Sequence, residues 1–202
     1  MTVKLSSLAL VALIAAAPAV SMAQAPDPAL APIDAFDSAL IEVMKQGKSL
    51  SAEGRYQKLI PAVEQTFDLP TMTRFAVGSG WASASASDQA ALIKAFTRLT
   101  AANFAHNFSG YGGEQFKTNP VVQTRGLDKL VRTQIIDKSG KATDLNYRMR
   151  QSGGRWKVID VYFGAISQLT AQRSDFASTV SSGGASALVA KMNAKADGLL
   201  KG

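Results

Sequence analysis

The chain has 202 residues, with 22 lysines and arginines against 15 acidic residues, a net charge of +7, one histidine and no cysteine. Disulfides and thiol chemistry are thereby excluded, and a single histidine leaves too few ligands for a transition-metal site. The basic residues come in ones and twos without regularly interleaved aromatics, which argues against nucleic acid. It leaves a generally solubilising surface, or one suited to an acidic partner or an anionic membrane.

Lys4 is followed by an uncharged run from Leu8 to Val20 that ends in Ser21-Met22-Ala23. A charged start, a short apolar stretch and small residues at the end read as a secretory signal, with cleavage predicted after Ala23 and the bacterial periplasm as destination. The run is well short of the roughly 20 apolar residues a spanning helix needs. Removing residues 1–23 takes away one lysine and no acid, which leaves a net charge of +6. Residues 24–32 hold three prolines and read as a flexible leader, and residues 33–202 suit one domain.

Ile33, Phe36, Leu40, Ile41 and Met44 recur at helical spacing and predict a helix to Lys45 that ends at Gly47. Ser51 is placed to cap a second helix carrying Tyr56, Leu59 and Ile60, with Pro61 either kinking it or starting another. Asp68 and Pro70 open a short helix from Leu69 to Val77, stopped by Gly78. A loop from Ala82 to Ser87 follows, with Ser87 as cap for a helix from Asp88 to Asn107. The period then changes. Phe116–Arg125, Lys129–Asp137, Ala142–Arg150 and Arg155–Phe163 read as four strands of an antiparallel meander, the last of them central and covered on both faces. Two helices, about Ile166–Ser181 and Ala185–Leu200, close the chain around Gly183-Gly184. The order of elements indicates an α+β domain with helices covering a curved four-stranded sheet.

Little catalytic chemistry is visible. His106 lies within a helix and reads as structural, and neither a phosphate-cradling loop nor a nucleophile elbow is present. Asp160 falls on the apolar fourth strand, where a carboxylate needs a partner. It is either salt-bridged to Arg74, Arg148 or Arg173, or a tuned acid–base group beside Tyr147 or Tyr162 in a proton-transfer enzyme acting on a small apolar substrate. Large apolar groups come from both halves of the chain, but composition does not separate a filled core from a hollow one.

The spacing of several short motifs resembles a known family. These are Phe67-Asp68-Leu69, Met72-x-Arg74-x-Ala76-x-Gly78-x-x-Trp81 and Phe96-x-x-Leu99 in the first half. Leu145-x-Tyr147-Arg148-Met149-Arg150, Gly154-x-Trp156-Lys157-Val158-x-Asp160-Val161, Gly164-x-Ile166-Ser167, Arg173-Ser174-Asp175-Phe176 and Gly183-Gly184 follow in the second. The pattern is similar to that of the periplasmic carriers of Mla-type phospholipid transport, also called toluene-tolerance auxiliary proteins. The Gly164-Ala165-Ile166-Ser167 variant resembles a branch associated with hopanoid biosynthesis. The resemblance implies a sheet related to the nuclear-transport-factor-like fold and a deep apolar cavity for acyl chains. It also implies a monomeric, non-enzymatic protein without cofactor that passes phospholipid or a hopanoid-like lipid between an outer-membrane lipoprotein complex and an inner-membrane ABC transporter. On that basis Phe75, Phe96, Leu99, Phe104, Tyr147, Val161 and Phe163 are the candidate tail-lining residues.

Overall fold

The computed structural model describes residues 25–201, so the predicted signal segment and its cleavage site lie outside the described residues. Helix α1 spans Leu30–Gln46, three residues earlier at its start than the apolar spacing alone suggests, because Ala29 and Leu30 are already buried. Ahead of it Asp27 accepts from Lys129 Nζ at 2.6 and 2.7 Å, which ties residues 25–29 to the sheet. Gly47, at φ 45°, ends α1 in a backbone conformation that costs a side chain more than it costs glycine.

Helix α2, Ala52–Thr66, is capped by the Ser51 side chain, which accepts from Gly54 N. It runs straight on through Pro61. Pro61 and Gln57, whose carbonyl loses its helical donor there, are both exposed, so water can replace the missing bond. Asp68 accepts from Thr71 N and opens α3, Leu69–Val77. Gly80–Ser83 form the single turn α4 where a loop was expected. The long helix α5, Ala86–Asn107, is capped by Ser85 rather than Ser87, since Ser85 and Asp88 form a reciprocal capping box two residues upstream.

Among the described residues seven strands stand where four were expected: β1 Gln115–Thr118, β2 Gln123–Arg125, β3 Asp128–Val131, β4 Thr133–Ile136, β5 Ala142–Ser152, β6 Arg155–Phe163 and β7 Ile166–Ser167. The meander itself is as read, but its first two strands are broken. Pro120 has no amide to donate and interrupts the first, between β1 and β2. The second bends at Arg132, where Asn146 Oδ1 accepts the Thr133 amide and the Arg132 carbonyl turns to Asn119 N. The spine is therefore β5 and not β6. It pairs with β4 and β3 along one edge and with β6 along the other, all antiparallel. Val158, Ile159, Asp160 and Val161 are nonetheless all buried, so β6 is covered on both faces.

The last helix, α6 (Gln168–Lys201), is broken at Gly184, whose φ of 62° and ψ of −155° fold it into two arms. Its arms pack on α5, while α2 packs on α5 from the other side. Buried Arg55 fastens that side, donating to the carbonyls of Ala105 and Leu50 at 2.8 Å each. Asp128 clamps the far end of the sheet. It accepts from Arg148 Nε at 2.7 Å and from Arg150 Nε at 2.5 Å.

Helix α1 carries a cost. Asp37, next to fully buried Phe36, is itself 4% exposed. Its Oδ1 accepts from Tyr147 Oη at 3.2 Å, whereas its Oδ2 has no partner among the described residues. Burial pushes this carboxyl up to about 7, opposed by the Tyr147 hydrogen bond and helped by the nearby Asp34 carboxylate. The folded chain therefore keeps a proton that the unfolded chain has released, and this group's contribution to stability falls as pH rises from about 4 to about 7.

Two predictions follow from this packing. Relative to wild type, Asp37→Asn should gain about 1.4 kcal/mol of stability per pH unit between about pH 4 and 7, then level off. Denaturant titrations at pH 5 and 8 check this, and parallel pH profiles would refute it. Separately, a methyl group on Gly80 would collide with Val180 Cγ1. Gly80→Ala should therefore cost about 1–3 kcal/mol, and Val180→Ala in the same chain should recover most of the loss in a thermal melt.

Candidate functional site

The core under the helices is closely packed at one end and borders an open pocket at the other. Alternation along β5 turns Leu145, Tyr147 and Met149 toward the helices. Tyr147 and Met149 are fully buried and meet solid packing, whereas Leu145 borders open space. The same division runs along α5. Phe96 and Leu99, each 1% exposed, lie in filled core, and one to two turns later Thr100, Asn103, Phe104, Asn107 and Phe108 line a pocket of about 880 Å³.

Met44, Phe67, Met72, Phe104, Phe108, Ile135, Leu145, Val161, Phe163 and Leu169 make its apolar wall. Thr100, Asn103, Asn107, Glu114, Thr143, Gln168, Gln172, Asp175 and Lys195 are its polar members. Phe104 anchors the apolar part through its rings' neighbours. It meets Phe36 edge-on at 4.9 Å, leans on Phe67 at 5.5 Å and stacks on Phe108 at 6.0 Å, and Phe108 stacks on Phe116 at 6.1 Å. Such offset and edge-on contacts add to the burial of each ring.

Of the seven candidate residues, the structure brings Phe104, Val161 and Phe163 together on this pocket. Phe96, Leu99 and Tyr147 stand behind it in the filled core. Phe75 is elsewhere, 44% exposed, with the Arg173 guanidinium 4.9 Å over its ring and the Arg173 side chain donating to its carbonyl. Met72, one helical turn before Phe75, faces the pocket instead. Phe67 and Leu145 were visible in the family pattern but not singled out, and Phe108 follows Phe104 at the four-residue spacing of one helix face.

Asp160 has neither of its expected roles. Its Oδ2 accepts from Ser167 Oγ at 2.7 Å and its Oδ1 from Leu169 N at 3.2 Å, and Ser167 Oγ in turn accepts from Thr170 N. Together they satisfy the free amides at the start of α6. Tyr147 is committed to Asp37, Arg148 to Asp128 and Arg173 to Phe75, so neither the acid–base pair with Tyr147 nor the ion pairs with Arg148 and Arg173 form. Among the described residues no cluster of His, Cys, Asp or Glu could hold a metal ion. No helix there is long and apolar enough to cross a membrane.

A second groove, of about 620 Å³, lies across α1 and is lined by Asp34, Asp37, Glu42 and Lys45 along with Leu30, Ile41 and Phe116. Its far wall is Phe116 and Thr118 of β1 together with Pro120, and three carboxylates and a lysine line the α1 side.

The fold has a solved counterpart in a phospholipid-binding protein from Ralstonia solanacearum, determined in complex with a phospholipid. The two superpose with a TM-score of 0.71 at 22% identity, over 86% of this chain and 99% of that one. No curated protein matches the chain. The family model described as MlaC protein matches residues 34–194, from within α1 to within the second arm of α6. With that span matched, the chain belongs to the MlaC family.

Proposed function

We propose that the chain is a periplasmic, single-chain carrier that holds phospholipid tails in the 880 Å³ pocket and ferries them between an outer-membrane lipoprotein complex and an inner-membrane ABC transporter. The observation that carries the reading is the hollow end of the core: apolar groups from α3, α5, α6 and the sheet converge on space they do not fill, in a member of the MlaC family. The structural counterpart's own phospholipid supports the choice of cargo. A hopanoid-like cargo is the variant suggested by Gly164-Ala165-Ile166-Ser167.

The energetics suit such a role. Each methylene exposed to water costs about 0.8 kcal/mol, so a tail of about a dozen methylenes loses on the order of 10 kcal/mol when unshielded. Phe104, Val161 and Phe163, with Phe67, Met72 and Leu145 beside them, would cover the tails. The volume lies within the roughly 300–1,000 Å³ of small-molecule sites. Spontaneous release from such a site is slow, and handover falls to partners that open it. The apolar positions near the pocket mouth, Phe163 at 52% and Ile166 at 64% exposed, are where a partner could do so. Export would follow from the segment before Gln24, with cleavage after Ala23.

The test is to purify residues 24–202 without detergent and identify bound lipid by native mass spectrometry and solvent extraction. One lipid per chain is expected, and repeated preparations without lipid would defeat the reading. Ala171→Trp, at an exposed pocket-lining position, should displace about three methylenes. That loses about 2 kcal/mol, or roughly 30-fold in affinity, with the circular dichroism spectrum unchanged. Undiminished lipid in this variant would remove the pocket from the proposal.

A further inference from the structure

The two arms of α6 are joined across the Gly184 break by one carboxylate and two ammonium groups. Lys191 Nζ donates to Asp175 O at 2.6 Å and to its Oδ1 at 3.0 Å, and also lies 5.9 Å over the Phe176 ring. Lys195 reaches the same carboxylate only at 3.5 Å, beyond the usual span of a strong N–H···O bond. The two lysines are thus unequal. Lys191 is committed on three sides, and its hydrogen bond is the main reason the Asp175 carboxyl sits below its ordinary range. Lys195, half exposed, has no other partner among the described residues.

Position separates them further. Lys195 lines the pocket and is the one lysine or arginine in its wall among the described residues. Two carboxylates share that wall. Glu114 accepts the Gly112 amide at 2.6 Å and keeps its charge, whereas Asp175 is held by Lys191. On α6 itself two lysines face this one carboxylate, so the helix is left with one positive charge, carried by Lys195 on a flexible stem. Gln172 and Asn103, also in the wall, add neutral hydrogen-bonding groups.

We propose that Lys195 is the headgroup contact of the pocket. It swings from Asp175 to the phosphate of a bound lipid and makes the site favour headgroups with a net negative charge over zwitterionic ones. The inference rests on the lipid-carrier reading and adds a specificity to it. Asp175 is then the competitor that parks Lys195 in the empty protein, and Lys191 keeps the two arms together while Lys195 is away.

The experiment loads lipid-free full mature chain from vesicles of equal phosphatidylglycerol and phosphatidylethanolamine, then reads total lipid and the ratio of the two by mass spectrometry. Wild type should prefer phosphatidylglycerol roughly three- to fivefold, the scale of a partly exposed charge pair. Lys195→Gln should lose phosphatidylglycerol loading until the ratio nears one, Lys195→Arg should keep the preference, and Asp175→Asn should raise it. Near 1 M salt, where screening acts within about 3 Å, the wild-type preference should fall toward one. An even ratio in wild type, an unchanged ratio in Lys195→Gln, or a Lys195→Gln chain that takes up no lipid would each overturn the inference. Wild type that takes up no lipid at all would strike the carrier reading itself.

Discussion

Phe36 is the contact on which the rest of the molecule turns. It comes from α1, meets Phe67 from the joint of α2 and α3 at 5.1 Å, and meets Phe104 from α5 at 4.9 Å, both edge to face. Helix α1, the joint of α2 and α3, and α5 thus each contribute one ring to a single cluster, and Tyr147, 6.5 Å from Phe36, adds the sheet itself. Such pairs add about 0.5–1.5 kcal/mol each beyond the area they bury, so the cluster can set the height of three helices above one strand. It also sets where filling stops. Behind it stand Phe96, Leu99 and Met149, and in front lies the pocket. Drawing Phe36 under takes Asp37 along, which is why a carboxyl ends up dehydrated beside Tyr147.

The pocket's two walls differ in how firmly they are held. The sheet wall is tied by continuous ladders and by Asp128 with its two arginines. The α6 wall is tied by the Asp160–Ser167 cap at its start, by Leu188, Met192 and Ala196 in its second arm, and across the break by exposed ion pairs on Asp175. Exposed pairs of that kind contribute little each, typically under about 1 kcal/mol. The α6 wall is thus the more weakly held of the two.

Features decided within a few residues were legible in the sequence. The stops at Gly47, Gly78 and Gly184 and the caps at Ser51 and Asp68 depend on local backbone chemistry, and each is where the spacing places it. Features decided by distant partners were not. The bend at Arg132 depends on Asn146 of another strand, and Asp160 finds its donors across β7 instead of on an arginine. The site shows the same division. Periodicity identified inward faces that hold Phe96 and Leu99 on α5 and Leu145 and Tyr147 on β5, whereas Phe104 was singled out only with the family resemblance. Periodicity carries no information on depth, so it could not say that Phe104 borders space while Phe96 and Leu99 do not. Phe75 was lost for a related reason: a helix of nine residues turns its face within one turn, and Arg173 holds this ring at the surface.

The mixed character of the wall follows from stability. A dry void costs about 24 cal/mol per Å³, so 880 Å³ of sealed emptiness would cost about 20 kcal/mol, more than the roughly 5–15 kcal/mol that a domain has in total. The unloaded protein must therefore admit water, and a wall of hydrocarbon alone would give that water nothing to bond. Asn103, Asn107, Gln172 and Lys195 can bond it, while Phe67, Phe104, Leu145 and Val161 reward an apolar chain that displaces it. Under the proposed carrier role the protein persists both empty and full, and a wall divided in this way tolerates both states. A wholly apolar wall would favour collapse of α6 onto the sheet once the cargo had left, and a wholly polar one would give the tail no reason to enter.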